Sequence, residues 1–178
     1  MRVTGTLILA SVIAVLGARA VGAQCTASGA PASCNQPGSV SMTAGRIVRL
    51  QVSAGSTTLT APTPADFDAG LNSTTGPTLT VSANSSWTLQ LHASASVWTA
   101  VNTSPGAPAR VDKPASDLKW STSAGGPFNG LTIADATLVS GPATSANATT
   151  LYFQTLYDWV QDTPGNYSLS VVLTLTAP

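Results

Sequence analysis

The chain has 178 residues with seven Lys or Arg, seven Asp and no Glu, so only 8% of its residues are charged and its formal net charge is zero. This length indicates one domain, and a hydrophobic fraction of 43% with few charges argues against a disordered chain. The scarcity of cations argues against a nucleic-acid-binding protein, which needs clustered Lys and Arg. The chain holds 25 Thr and 21 Ser, and together with the missing Glu this composition disfavours a helical bundle.

Residues 1–23 predict a secretory signal peptide. Arg2 supplies the positive charge, Leu7–Leu16 is an apolar run of ten residues, and Ala23 is the small residue at the expected cleavage site. The run is shorter than the roughly 20 apolar residues of a membrane span. We therefore expect a protein that is secreted, extracellular or at the cell surface or envelope, with no membrane span after cleavage. The alternative is an N-terminal anchor that stays uncut.

Residues 24–45 predict an N-terminal tail, because they are rich in Gly, Ser, Pro and Ala and hold few large apolar residues. Cys25 and Cys34 are the only cysteines, and an even count after a secretory leader predicts a disulfide between them. The loop that it closes lies within the tail. A two-cysteine metal site is the alternative, but no further ligand lies nearby and the spacing is wrong for zinc.

Residues 46–178 predict a single β-sandwich domain, because apolar and polar residues alternate in several short runs. The runs lie around Val48–Val52, Leu79–Ala83, Trp87–Ala93, 149–160 and 167–176. Turn signals, including Gly76-Pro77, Gly141-Pro142 and Pro164-Gly165, separate them. No window outside the leader shows a helical period. The pattern predicts an all-β fold, an antiparallel β-sandwich of Ig-like type.

The tryptophans are predicted to be mainly core residues, because Trp87, Trp120 and Trp159 lie in or beside strand patterns. Trp98 precedes a Pro-rich stretch, and an exposed tryptophan could stack on a sugar ring. The Asp158–Tyr167 segment is interpreted as a structural hairpin around a Pro-Gly turn. Its Tyr167 is expected to bond backbone across a corner of the sandwich.

Residues that could carry chemistry are few, and we predict that the protein is not an enzyme. The single histidine, His92, falls on the expected solvent face of a strand. No catalytic, cofactor-binding or metal-binding residue is assigned, and no cofactor is expected. Asp66 and Asp68 have the opening spacing of a calcium loop but lack its later ligands, so they are interpreted as turn residues. Asp158 and Asp162 are the other close pair of carboxylates.

Two family resemblances bear on function. Trp87-Thr88-Leu89, with Leu173-Thr174-Leu175 near the C-terminus, resembles the WxL cell-wall-binding domains, in which two Trp-x-Leu motifs lie on strands. The second position here holds Leu instead of Trp. The N-terminal disulfide region and the terminal Gly-x-Tyr strand resemble spore-coat-U-like and pilin-like subunits. Pilins donate an alternating apolar extension to a neighbour, which residues 24–45 lack.

These observations predict a bacterial, non-catalytic surface or envelope module with a structural or adhesive role. The alternatives are a subunit of a fibrous surface appendage and a carbohydrate-binding module. The expected partners are a cell-wall or surface glycan or other copies of the chain, with no nucleic acid among them.

Overall fold

The computed structural model of the protein describes residues 25–35, 38–104, 106 and 108–178. The predicted signal peptide and its cleavage site at Ala23 lie outside the described residues. The chain divides into two units, Met1–Thr43 and Ala44–Pro178. In the first unit, Cys25 and Cys34 form a disulfide, which confirms the predicted pairing.

The second unit consists mainly of β-strands. They are β1 (Val48–Val52), β2 (Leu71–Ala83), β3 (Trp87–Ala93), β4 (Thr99–Asn102), β5 (Leu118–Ser121), β6 (Asn129–Gly130), β7 (Ala136–Gly141), β8 (Thr144–Leu156), β9 (Gly165–Ser168) and β10 (Val171–Thr176). One short helix, α1 (Pro64–Ala69), precedes β2, and a 3₁₀ turn, Ala115–Asp117, precedes β5. The predicted all-β fold is therefore confirmed.

The strands form three antiparallel sheets. The largest has the order β1-β2-β8-β5-β6, the second has the order β10-β3-β7, and β4 pairs with β9. Because β2 and β3 follow one another in the chain but lie in different sheets, the chain crosses between sheets after Ala83. It crosses back after Gly141, between β7 and β8. The second crossing coincides with the predicted turn at Gly141-Pro142. The result is a sandwich, and its Ig-like character stays a prediction.

The core lies between the inward faces of the strands and follows the predicted alternation. Buried side chains recur at every second position of β2, β3 and β8, where they include Leu79, Val81, Leu89, Leu91, Leu151 and Phe153. The period of two arises because successive side chains of a strand point to opposite faces. On β10 the inward residues Val171, Leu173 and Leu175 pack against this core but remain half-buried.

Several predicted boundaries are wrong. The strand predicted over 149–160 ends at Leu156, because the chain turns at 158–161. Gly76-Pro77 is a bulge within the 13-residue β2 rather than a turn. A Cβ on Gly76 would lie 2.6 Å from the Phe153 ring, so only glycine fits this close approach. The C-terminal pattern forms two strands, and β9 pairs with β4 rather than with β8, so the Asp158–Tyr167 segment is a corner between sheets and not a hairpin.

The helix α1 was not predicted. Thr63 is its N-cap, and the Thr63 and Asp66 side chains each accept a hydrogen bond from the other residue's backbone N–H in a capping box. Pro64 occupies the first helical position, which suits its missing N–H. Gly70 ends the helix in the left-handed conformation with φ of 71°. The capping residues can be recognised in the sequence, but a helix of six residues is too short to show a helical period.

Candidate functional site

A wide groove opens beside β10, between the two larger sheets. Its volume is about 1430 Å³. Leu50 of β1, Leu173 of β10 and the buried Leu151 and Phe153 of β8 are among the residues that line it. We call this space the β10 groove. The inward residues of β10, which are half-buried, border this space in part: Val171 and Leu173 are among its lining residues.

The strand β10 forms the edge of its sheet and pairs only with β3 among the described strands. An edge strand carries a row of backbone N–H and C=O groups that no neighbouring strand uses. Natural edges are commonly blunted by charged residues, proline or a bulge. The β10 sequence, Val-Val-Leu-Thr-Leu-Thr, has no charge and no proline, and its register with β3 is regular. This edge is therefore competent to pair with a further strand.

Three aromatic rings stand at one end of the β10 groove. The Phe67 ring stacks on Trp159 with centroids 4.6 Å apart, and Tyr157 lies 5.3 Å from Phe67. The Trp159 indole N–H donates to the Asp68 carboxylate over 3.0 Å. Trp159 is 60% exposed, so the prediction that it belongs to the core is wrong. It lies beyond the end of β8, where the alternation that suggested burial no longer applies.

The other three tryptophans are buried. Trp87, Trp98 and Trp120 are 2%, 5% and 6% exposed. The indole N–H of Trp87 donates to Pro142 O and that of Trp98 to Pro114 O, so neither is left without a partner. The ligand-platform alternative considered for Trp98 therefore has no exposed ring to support it.

A buried ion cluster lies below the Asp158–Asp162 turn. Lys113 is 3% exposed, and its ammonium donates to Asp162 at 2.9 Å, to Asp117 at 3.1 Å and to the backbone oxygen of Leu156 at 2.8 Å. These three bonds use all three donors of the ammonium. The Nζ atom also lies 5.4 Å from the centre of the Tyr157 ring. This set of contacts fixes the 113–117 segment to the end of β8.

Arg110 extends the ion cluster and connects it to the C-terminal corner. Its guanidinium lies 3.1 Å from Asp162 and 3.6 Å from Asp117. The Tyr167 hydroxyl accepts from the Arg110 backbone N–H and donates to Thr163 O. The expectation that Tyr167 bonds backbone across a corner is therefore confirmed. A second cavity of about 250 Å³ lies against this cluster and is lined by Asp158, Gln161, Arg110 and their neighbours.

Three pKa values reflect these contacts. Hydrogen bonds from the backbone N–H groups of Gln161 and Val160 lower the pKa of the Asp158 carboxyl. Burial acts to lower the pKa of Arg110, but the hydrogen bond and charge of Asp162 outweigh it, so this pKa is raised. Burial raises the pKa of the Tyr157 hydroxyl. The carboxylates around the turn therefore act as hydrogen-bond acceptors and counter-ions.

The remaining candidates from the sequence each make structural contacts. His92 lies on the outward face of β3, as predicted, with Nδ1 2.7 Å from Asp135. Asp66 is committed to the cap of α1, with its Oδ2 2.7 Å from the Thr63 N–H, whereas Asp68 contacts Trp159. The Asp158 carboxylate accepts hydrogen bonds from the backbone N–H groups of Val160 and Gln161 in its own turn. In the described ranges, no group of three His, Cys, Asp or Glu side chains is arranged to hold a metal ion.

Arg110 and Lys113 were not among the residues predicted to matter. A signal was present, because four of the few charges in the chain, Arg110, Asp112, Lys113 and Asp117, fall within eight residues. Their partner Asp162 is 49 residues from Lys113. The spacing of these charges in the sequence therefore does not predict that the five come together.

No helix in the described part of the chain is long and apolar enough to cross a membrane. Comparison with known proteins finds no matching family model and no matching curated protein.

Proposed function

We propose that this protein is a non-catalytic surface or envelope module that joins a larger assembly by accepting an extended segment of another protein into the β10 groove. The single observation that carries the proposal is the coincidence of an apolar groove with an uncharged edge strand. In β-strand addition, backbone hydrogen bonds to the edge provide affinity, and pockets for alternate side chains provide specificity. The β10 groove offers both features on one side of the sandwich.

The chemistry of the groove indicates the kind of segment that fits. Inward residues of β10 recur at Val171, Leu173 and Leu175, so a strand laid beside them would present apolar side chains at alternate positions. Leu151 and Phe153, which border the groove from the core, are also apolar. The occupant is therefore an alternating apolar segment.

We place that segment in a different protein. Between Cys25 and Thr43 the only large apolar residues of this chain are Val40 and Met42. Two such residues are too few to pair with all three inward positions on β10. This argument favours a mixed assembly over a fibre of identical subunits. Export through the predicted signal peptide, together with the Cys25–Cys34 disulfide, supports placing the assembly outside the cytoplasm.

The test uses a synthetic peptide that copies residues 169–177, whose apolar residues alternate, and a second peptide with the same residues in an order without alternation. We expect the alternating peptide to bind and to slow hydrogen exchange of the β10 amides. The shuffled peptide is expected to leave exchange unchanged. A peptide of residues 38–46 tests the tail of the chain itself.

Two variants locate the binding. Leu173→Asp places a carboxylate in the β10 groove, whereas Thr174→Asp places it on the other face of the same strand. Because Leu173 borders an open groove, the new carboxylate can stay hydrated and the fold is expected to persist, which circular dichroism checks. We expect Leu173→Asp to weaken peptide binding at least tenfold and Thr174→Asp to retain it.

Three results would contradict the proposal: no binding of the alternating peptide, equal binding of the shuffled peptide, or equal loss in both variants. Stronger binding of the 38–46 peptide would instead show that the donor is a second copy.

A further inference from the structure

The geometry points to a carbohydrate-binding site on the turn at 157–162, with the Trp159 indole as a platform for a neutral pyranose ring. This site is separate in chemistry from the β10 groove, although Trp159 stands at the end of that groove. It assigns a role to the one tryptophan of the described chain that the fold leaves exposed.

The exposed indole is held in place by two contacts. The Phe67 ring covers one side of it at 4.6 Å, and Asp68 binds its N–H over 3.0 Å. A tryptophan that is 60% exposed yet fixed by stacking and a hydrogen bond loses little conformational freedom when a ligand docks on it. Large rigid aromatic residues of this kind carry much of the energy in binding sites.

Two polar side chains flank Trp159 and Val160 in the same turn. The second cavity, of about 250 Å³, begins at Asp158 and Gln161, the residues on either side of the Trp159-Val160 dipeptide. Asp158 uses Oδ1 to accept from Val160 and Gln161, and no contact among the described residues occupies its Oδ2. The Gln161 side-chain amide likewise makes no hydrogen bond within the described residues. Both groups are thus available to a ligand.

This combination of groups matches a sugar better than a peptide side chain. A pyranose ring has a face of C–H groups that suits an aromatic ring and hydroxyls around its rim that suit carboxylate and amide groups. Ligand sites typically pair an apolar wall with a few such polar groups. Asp68, which accepts from the indole N–H, and Asp158, the residue before Trp159, place negative charge in this turn region, so an anionic sugar would be repelled, and we assign the site to neutral glycans.

The experiment measures binding of the disulfide-bonded protein to an array of neutral glycans. Oligosaccharides of glucose, galactose, mannose and N-acetylglucosamine, with an oligogalacturonate as the anionic comparison, are then used in solution titrations. The fluorescence of the exposed indole and its quenching by acrylamide report contact directly, because the other three tryptophans are buried. We expect a neutral glycan to bind and to shield Trp159 from acrylamide.

Matched variants decide whether Trp159 is the platform. Trp159→Ala should weaken glycan binding at least tenfold, and Trp159→Phe should keep part of the affinity because a ring face remains. Val160→Ala changes an exposed neighbour in the same turn and should bind like the parent. Gln161→Ala should weaken binding without changing thermal stability, which separates contact with the sugar from support of the fold.

The inference is overturned if no neutral glycan binds, if the anionic oligosaccharide binds more tightly, or if Trp159→Ala binds as well as Val160→Ala. Leu173→Asp, which alters the β10 groove, is expected to keep its glycan affinity. Loss of glycan binding in that variant would show that the sugar occupies the groove, and would also overturn the site proposed here.

Discussion

Replacing Lys113 by Met tests whether the buried ion cluster holds the C-terminal corner of the sandwich. The substitution keeps most of the side-chain volume and removes the ammonium with its three hydrogen bonds. Removing one partner of a buried ion pair typically costs about 3–5 kcal/mol, because the other charge is left uncompensated. Here Arg110 still lies 3.1 Å from Asp162, so part of the compensation survives. We therefore expect a loss at the lower end, about 3 kcal/mol.

This loss is large against the about 5–15 kcal/mol that stabilises an ordinary domain. With a urea dependence of about 2 kcal/mol per molar, the unfolding midpoint should fall by about 1.5 M. Lys119→Met is the control, because Lys119 is half-buried on β5 and forms no ion pair among the described residues. Its stability should stay within about 0.5 kcal/mol of the parent. Equal midpoints for the two variants would refute the view that the cluster stabilises the fold.

Three further predictions concern the corner, the turn and the tail. Tyr167→Phe should lower the free energy of unfolding by about 1–3 kcal/mol, measured by denaturation, because two backbone groups lose their partner; an unchanged value would contradict this role. The pKa of Asp158 is lowered in the folded protein, so its contribution to stability is present above the ordinary value of 3.8 and is lost as pH falls through the lower folded pKa. Asp158→Asn should reduce the loss of unfolding free energy as the pH falls through this range. An unchanged pH dependence in the variant would contradict this prediction. The Cys25→Ser, Cys34→Ser double variant should melt at the parental temperature, because both cysteines belong to the Met1–Thr43 unit; a large decrease would show that this unit supports the sandwich.

The alternation in the sequence was sufficient to predict which side chains of the main strands point inward. On β3, Trp87, Leu89 and Leu91 are buried and His92 faces outward, as their spacing requires. The reason is local, because the backbone of a strand alone sets which face each side chain takes. The same rule could not show which strands lie at an edge. Among the described strands, β10 is an edge of the three-stranded sheet, and its alternation alone did not reveal this position.

The sequence was less informative where function is proposed, because those features depend on contacts between distant residues. Trp159 continues the parity of Leu151 and Phe153, so it was indistinguishable from a core residue until β8 was seen to end at Leu156. The contact of Trp159 with Asp68 spans 91 positions. A pattern with a period of two carries no information about where a strand stops or which loop lies beside it.

The distribution of the few charges distinguishes the two strands that border the β10 groove. On the β1 side, Arg49 is exposed and its guanidinium donates to Ser82 on the neighbouring strand. A cation on an edge strand opposes the addition of another strand, since the arriving chain must accommodate the charge. On the other side β10 has no charged residue. A segment that enters the groove would therefore meet one protected edge and one open edge, and it should form its backbone hydrogen bonds with β10 while its apolar side chains cover the half-buried Val171, Leu173 and Leu175.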